Sequence, residues 1–182
     1  MTATATITET TTWQLDPVHS SVEFAVKHLM IATVKGSFSG FEATLAVDGD
    51  PTSAKVTAKV DAATISTKND QRDGHLRSAD FFETEKYPTI EFESTRIVGD
   101  TTGDFQIIGD LTMHGVKKEI TLDATFEGQG KDPWGGTRIG YSAKAKIRRS
   151  DFGLTWNQAL EAGGVVVSDD IKISVEAQFV RK

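Results

Sequence analysis

Four histidines are the side chains best suited to chemistry in this sequence, and their spacing matches no common catalytic or metal-binding motif. His19, His28, His75 and His114 are scattered, without His-x-His or His-Glu-x-x-His spacing. The chain has no cysteine, which excludes thiolate zinc ligands and cysteine nucleophiles. It also lacks a Gly-x-Ser-x-Gly elbow and a glycine-rich phosphate loop. We therefore predict no catalytic residue, no metal and no cofactor. The alternative is a metal- or haem-dependent redox accessory protein that uses the scattered histidines.

The charge balance argues against two classes of partner. The 182 residues include 26 acidic and 20 basic side chains, which give a net charge of -6. Such a charge disfavours nucleic acid and anionic membrane surfaces. The aromatic side chains also do not lie among basic ones, as they do in nucleic-acid platforms. We predict no nucleic-acid partner.

The secondary structure of the chain is predicted to consist mainly of β-strands, and these would position the residues of any site. Apolar and polar side chains alternate with period two in many segments. These segments are 18–28, 54–61, 90–98, 105–113, 116–127, 139–149 and 171–179. Strands with one dry and one wet face indicate antiparallel pairing. Their even spacing predicts a barrel or a sandwich, and the chain is long enough to close a barrel of about eight strands.

Alternation is interrupted beside Gly40. Val34 and Phe38 lie on even positions, whereas Phe41 and the apolar residues that follow it lie on odd ones. A bulge or bend at Gly40 is the simplest explanation.

Two segments do not fit the strand pattern. Thr67 and Asp70 resemble a capping box, which predicts one short helix from about Lys68 to Ala79. Residues 150–168 favour a loop with one helical turn. Both segments carry more apolar side chains than an ordinary surface connection, so we expect each to cover or enter the barrel.

Two polar residues share the parity of the dry face. His28 follows Val26 on this parity, and Arg149 follows Ile147. An inward Arg149 would either meet the polar head of a bound molecule or serve structure, paired with a carboxylate such as Asp151 or in solvent past the strand end. For His28, a structural hydrogen bond is the alternative to ligand binding.

The N-terminus predicts a mobile tail over residues 1–11, followed by one domain over residues 12–182. The tail has neither the basic region nor the apolar region of a signal peptide, so a cytoplasmic location is expected. The longest apolar stretches are too short to span a bilayer.

Four blocks of the sequence, taken in order, resemble the YceI-like family. They are Asp16-Pro17-Val18-His19-Ser20-Ser21-Val22-Glu23-Phe24; Arg72-Asp73-x-His75-Leu76 with Asp80-Phe81-Phe82 and Tyr87-Pro88-x-Ile90-x-Phe92; Gly109-Asp110-Leu111-Thr112-Met113-His114-Gly115-Val116; and Arg149-Ser150-Asp151-Phe152-Gly153. Together they extend the resemblance from about Trp13 to Phe179.

The resemblance implies an all-β fold, namely an extended antiparallel β-barrel of lipocalin-like build. It also implies binding, and transport or storage, of a polyisoprenoid, an isoprenoid quinone or another long-chain lipid inside the barrel. Many relatives are exported to the periplasm. This chain differs from them in that its N-terminus does not resemble a signal peptide. A homodimer is a further possibility, because a barrel mouth or a strand edge can drive association.

In such a barrel, inward alanines would leave the lumen under-filled. The alanines with inward parity are Ala43, Ala54, Ala58, Ala124, Ala143, Ala145 and Ala177. The residues predicted to contact lipid in the lumen are Phe24, Val26, Phe38, Phe41, Leu76, Phe81, Phe82, Phe92, Leu111, Met113, Phe126, Tyr141, Ile147, Phe152, Trp156 and Ile173. His28, His114 and Arg149 are predicted to lie at the rim or to contact a head group.

Overall fold

The computed structural model describes residues 9–182, which form eleven β-strands and one α-helix. The strands are β1 (Thr10–Leu15), β2 (Ser21–His28), β3 (Ala32–Phe38), β4 (Phe41–Asp48), β5 (Lys55–Asp61), β6 (Ile65–Ser66), β7 (Thr89–Gly99), β8 (Asp104–Met113), β9 (Val116–Lys131), β10 (Thr137–Arg148) and β11 (Val167–Arg181). The helix α1 spans Asp70–Arg77. Residues 1–8 of the predicted tail lie outside the described residues, and β1 begins two residues before the predicted start of the domain.

The strands form a closed antiparallel barrel. Eight of them follow one another in the order β1, β4, β5, β7, β8, β9, β10 and β11, and β11 pairs back onto β1. Closure removes the free edges that an open sheet would expose over this ring. The predicted all-β, lipocalin-like barrel of about eight strands with one short helix is therefore confirmed.

The barrel is extended because β11 is long enough to pair with two strands in succession. Leu15 at the end of β1 pairs with Phe179, and Ser21 at the start of β2 pairs with Glu176. Pro17 lies between the two strands. Because proline has no backbone N–H, a break in the sheet at this position leaves no N–H without a partner. Beyond the break, β3 adds to β2, and the short β6 adds to β3.

Gly40 marks a second break, as the parity change predicted. β3 ends at Phe38 and pairs with β2, whereas β4 begins at Phe41 and pairs with β1. The Gly40 N–H donates to Thr64 Oγ1 at 3.0 Å. A Cβ on Gly40 would lie 2.9 Å from Thr64 Cγ2, so the bend depends on the absence of a side chain.

The helix is shorter than predicted, and the predicted cap is wrong. It begins two residues after the predicted start, and its N-cap is Asn69, whose side chain accepts a hydrogen bond from the Arg72 N–H at 2.9 Å. Thr67 instead donates through its backbone N–H and its hydroxyl to Asp73 Oδ1, at 2.8 and 2.6 Å. Thr67 therefore lies between β6 and α1, held by the buried Asp73 carboxylate.

The connections between strands divide the barrel into two dissimilar ends. The helix end carries α1 and the segments 78–88 and 149–166. The loop end carries three short connections, residues 49–54, 100–103 and 132–136. Within residues 9–182 no helix is long and apolar enough to cross a membrane.

Candidate functional site

A cavity of about 320 Å³ extends between the two ends of the barrel. Inward-facing residues of every strand except β6 form its wall, and Leu76 of α1 adds to it at the helix end. The side chains of the wall are almost all apolar. Its volume falls within the range of roughly 300–1,000 Å³ that is typical of small-molecule sites.

The hollow exists because small side chains face each other across the inner surface. Ala43 pairs directly with Ala58 across β4 and β5, and Ala124 pairs with Ala143 across β9 and β10. Each pair places only two methyl groups where larger side chains would meet. Six of the predicted inward alanines border the cavity, and Ala145 is the one that does not.

Most of the residues predicted to line the lumen do border the cavity. They are Phe24, Val26, Phe38, Phe41, Leu76, Phe81, Phe82, Phe92, Leu111, Met113, Tyr141, Ile147 and Ile173. Whether each contacts a lipid stays a prediction.

Three predicted lumen residues do not border the cavity. Phe152 is 1% exposed and packs into the core cluster of the helix end. Trp156 packs against His75 and Phe81, with ring centroids 4.9 and 5.3 Å apart. Phe126 packs on Tyr141, whose ring borders the cavity. Their contact with a lipid stays a prediction.

Arg149 lies inward, as its parity predicted, but its hydrogen bonds go to the main chain. It is 5% exposed. Its guanidinium donates to the carbonyl oxygens of Leu154, Trp156, Val167 and Ser168, at distances of 2.7–3.2 Å. Burial lowers the pKa of Arg149, and the nearby Asp169 carboxylate raises it. These hydrogen bonds anchor the segment 149–166 to the start of β11, and the contact of Arg149 with a head group stays a prediction.

The structural alternative proposed for Arg149 was wrong in its partner. Asp151 pairs with Arg148 instead, at 3.1 Å on the surface. Sequence distance favoured Asp151, whereas the fold supplies carbonyl groups from the connection between β10 and β11 and from the start of β11.

The two histidines predicted at the rim do not border the cavity. His28 ends β2, where it pairs with Ala32 and Val167. His114 lies in the β8–β9 turn at a positive φ of 54°. Its Nδ1 is 3.0 Å from the Phe152 carbonyl oxygen, so Nδ1–H donates to that oxygen.

The histidines do not converge on one site. His19 contacts Asp16 at 2.8 Å, and His75 contacts Asp80 at 2.7 Å. In the part of the chain that the structure describes, no three histidine, aspartate or glutamate side chains are arranged to hold a metal ion.

The sequence missed the residues that line the cavity near the loop end. One of them is Ile97, which replaces Val98 on the inner face, because a bulge between Ser94 and Arg96 reverses the parity of β7. Val98 is 49% exposed. Apolar residues at both 97 and 98 conceal this reversal in the sequence, and the bulge itself leaves no sequence signal.

The mouth of the cavity lies at the loop end. Pro51 and Thr101, from two of the short connections, border the cavity there, and Pro51 is exposed. At the helix end the bordering residues Phe81, Leu154 and Arg149 are buried, and those that α1 and the segment 78–88 add are half-buried or buried. The contrast indicates a closed helix end and an accessible loop end.

Two aspartates hold the loops of the mouth in shape. Asp50 Oδ1 accepts from the backbone N–H and the hydroxyl of Thr52, both at 2.8 Å. Asp100 Oδ1 accepts from the same two groups of Thr102, at 2.9 and 2.6 Å. These hydrogen bonds lower the pKa of both carboxyl groups, so both are negatively charged at neutral pH.

Comparisons with known proteins agree with this geometry. A family model described as a YceI-like domain matches residues 13–179. A UPF0312 protein of Staphylococcus aureus is 40% identical over 173 residues, which cover 93% of this chain and 97% of the relative.

Solved structures share the barrel. The crystal structure of a YceI protein from Campylobacter jejuni is 34% identical with a TM-score of 0.74, covering 86% of this chain and 90% of that one. A polyisoprenoid binding domain from Saccharophagus degradans is 15% identical with a TM-score of 0.69, covering 93% of this chain and 98% of that one. The second likeness concerns the fold alone.

Proposed function

Because this chain belongs to the YceI-like family, we propose that it binds a polyisoprenoid, an isoprenoid quinone or another long-chain lipid inside its barrel. The observation that carries the proposal is the apolar cavity between the loop end and the closed helix end. The name of the Saccharophagus degradans domain, which has the same fold, supports polyisoprenoids as the ligand class.

The energetics of such a site favour a long chain. Each methylene moved from water into an apolar wall contributes about 0.8 kcal/mol. The loss of freedom of a flexible tail offsets part of that gain. A tail of several isoprene units therefore binds firmly without polar contacts, which suits a wall built from residues such as Phe24, Phe92 and Ile173.

The proposed role is binding for storage or transport, without catalysis. A catalytic site needs a polar group within hydrogen-bond reach of a bound molecule. Arg149 borders the cavity, but its guanidinium donates to four carbonyl oxygens of the protein. Tyr141 also borders the cavity, and burial raises the pKa of its hydroxyl, so that this group stays neutral.

Filling the cavity tests the proposal. Ala43 faces the cavity on β4, and Ala46 on the same strand is absent from its wall. We expect Ala43→Phe to weaken binding of geranylgeraniol, a twenty-carbon isoprenoid alcohol, by about tenfold or more, because the new ring occupies the space of the tail. Ala46→Phe is the matched control and should bind like the wild type. Protein stripped of lipid and reloaded is measured by native mass spectrometry.

Stability measurements on the same variants separate a hollow from a solid interior. An extra ring in a well-packed core costs about 1–3 kcal/mol. In a hollow, Ala43→Phe should change the free energy of unfolding by less than about 1 kcal/mol. Wild-type protein that takes up no geranylgeraniol, or an Ala43→Phe variant that binds as well as the Ala46→Phe control, would contradict the proposal.

A further inference from the structure

The hairpin between β2 and β3 ends in apolar residues that face solvent. Leu29, Met30 and Ile31 are 37%, 56% and 82% exposed, and we call these three residues the apolar tip. The tip lies at the helix end, because the Leu29 N–H donates to the Val166 carbonyl oxygen at 2.8 Å. Contiguous apolar surface of this kind indicates a contact with another protein or with a membrane.

The backbone of the tip would suit other residues better. Leu29 and Met30 have positive φ angles of 52° and 62°, and the Ile31 N–H donates to the His28 carbonyl oxygen at 3.2 Å. They are the two central residues of a tight hairpin turn, where asparagine and glycine are strongly preferred when both φ angles are positive. The turn itself therefore does not explain the large apolar side chains.

The interior of the protein does not explain them either. None of the three residues borders the cavity or belongs to a buried core cluster of residues 9–182. Met30 contacts the neighbouring connection, since a Cβ on Gly164 would lie 3.3 Å from Met30 Cγ, but more than half of Met30 stays exposed.

The strands that carry the tip are positively charged, in a chain whose net charge is -6. Residues 24–41 include no aspartate and no glutamate. Lys27 on β2 and Lys35 on β3 are exposed, and neither forms an ion pair in the described part of the chain. An apolar surface flanked by lysines is typical of segments that bind anionic lipid head groups.

Carboxylates on the adjoining elements do not cancel this charge. On β11, Asp170 pairs with Lys146 at 3.1 Å, and the nearby Arg149 guanidinium offsets the charge of Asp169. In the connection between β10 and β11, Glu161 is exposed. One exposed glutamate therefore stands against the two lysines of the hairpin.

The size of the tip favours a lipid bilayer over a second protein. Three side chains present at most a few hundred Å² of apolar surface, whereas each partner of a standard protein interface contributes roughly 800 Å². Beside the tip, residues 32–36 form a free strand edge within residues 9–182, because β6 pairs only with Ser37 and Phe38. The exposed Lys35 on that edge disfavours the addition of a strand from another chain.

We propose that the apolar tip docks this protein on a lipid bilayer that contains anionic lipids, with Lys27 and Lys35 at the level of the head groups. The net charge disfavours such a surface for the molecule as a whole, but the charge around this hairpin has the opposite sign. The helix end, rather than the mouth of the cavity, then lies against the bilayer. The proposal concerns a surface outside the cavity and does not depend on the proposed function.

Sedimentation of the full chain with vesicles tests the proposal. One set of vesicles consists of phosphatidylcholine mixed with phosphatidylglycerol, and the other of phosphatidylcholine alone. We expect the wild type to bind the mixed vesicles at least about tenfold more tightly than the neutral ones, because two lysines contribute only with anionic lipid. The difference should narrow at high salt, which screens the attraction.

A triple variant, Leu29→Asn with Met30→Gly and Ile31→Thr, removes the apolar surface without straining the turn. Since Asn-Gly suits the two positive φ angles, the variant should be at least as stable as the wild type, and we expect it to bind mixed vesicles at least about tenfold more weakly. Trp134→Ser is the matched control, because it removes an apolar side chain that is 84% exposed at the loop end. It should bind vesicles like the wild type.

Four results would overturn the proposal. They are wild-type protein that sediments with neither kind of vesicle, equal binding by the wild type and the triple variant, loss of binding in Trp134→Ser, and a wild-type dimer in sedimentation velocity that the triple variant abolishes. The third result would move the docking surface to the loop end, and the fourth would show that a second copy covers the tip. Because the tip does not border the cavity, the triple variant should keep wild-type affinity for geranylgeraniol, which separates docking from the proposed function.

Discussion

Arg149 is a buried cation whose hydrogen bonds go to the main chain of the protein. Period-two alternation correctly placed it on the inner face. Its four acceptors are carbonyl groups of residues 154, 156, 167 and 168. Backbone groups have no sequence signature, so the sequence predicts the position of such a residue but not its partners.

Removing Arg149 should loosen the segment 149–166. We expect Arg149→Met to lower the free energy of unfolding by about 3 kcal/mol or more, because four buried carbonyl groups lose their donors. Arg148→Met is the neighbouring control, since Arg148 is 64% exposed and pairs with Asp151 on the surface, and should cost less than about 1 kcal/mol. Urea unfolding measures both, and equal losses would argue against the anchoring role.

Arg138 links the break between β1 and β2 to the loop between β9 and β10. Its Nη1 donates to Asp16 at 2.6 Å, and its Nε donates to Asp132 at 2.8 Å. Asp16 also accepts from His19 at 2.8 Å. The hydrogen bonds from His19 and Arg138 lower the pKa of Asp16 from 3.8 to about 2.

This lowered pKa predicts a loss of stability in acid. The folded state favours the charged Asp16, so its stabilising effect is complete above the ordinary pKa and disappears as the pH falls from about 4 to about 2. As the pH is lowered across that range, the melting temperature should fall less for Asp16→Asn than for the wild type. Asp123→Asn removes an exposed carboxylate that has no ion pair among residues 9–182, and it should follow the wild type. Parallel curves for wild type and Asp16→Asn would contradict this assignment.

The sequence predicted the strands better than their irregularities. The parity change at Gly40 was visible because apolar residues lie on only one parity on each side of it. The sequence pattern did not reveal the bulge in β7. The bulge requires a glycine at position 109, which pairs with Ser94 on β7. A Cβ on Gly109 would lie 2.5 Å from the Glu93 carbonyl oxygen, so the backbone of the bulged strand approaches too closely for a side chain.

The barrel as a whole is hollow because the side chains on its inner face are too small to fill it. The alternation and the inward alanines predicted this hollow from the sequence, and the family resemblance predicted the fold. The position of the mouth could not be predicted, because it depends on which connections happen to be short. Residues 49–54 and 100–103 leave one end accessible, whereas α1 and residues 149–166 cover the other.

Native mass spectrometry of protein purified without detergent shows whether the barrel holds a lipid. We expect a complex whose added mass, after release and fragmentation, is that of one long-chain lipid. We also expect the added mass to be absent or strongly reduced in Ala43→Phe and retained in Ala46→Phe. Protein that carries no lipid, and that after reloading with an isoprenoid alcohol shows only its own mass, would contradict the claim that this barrel holds a lipid.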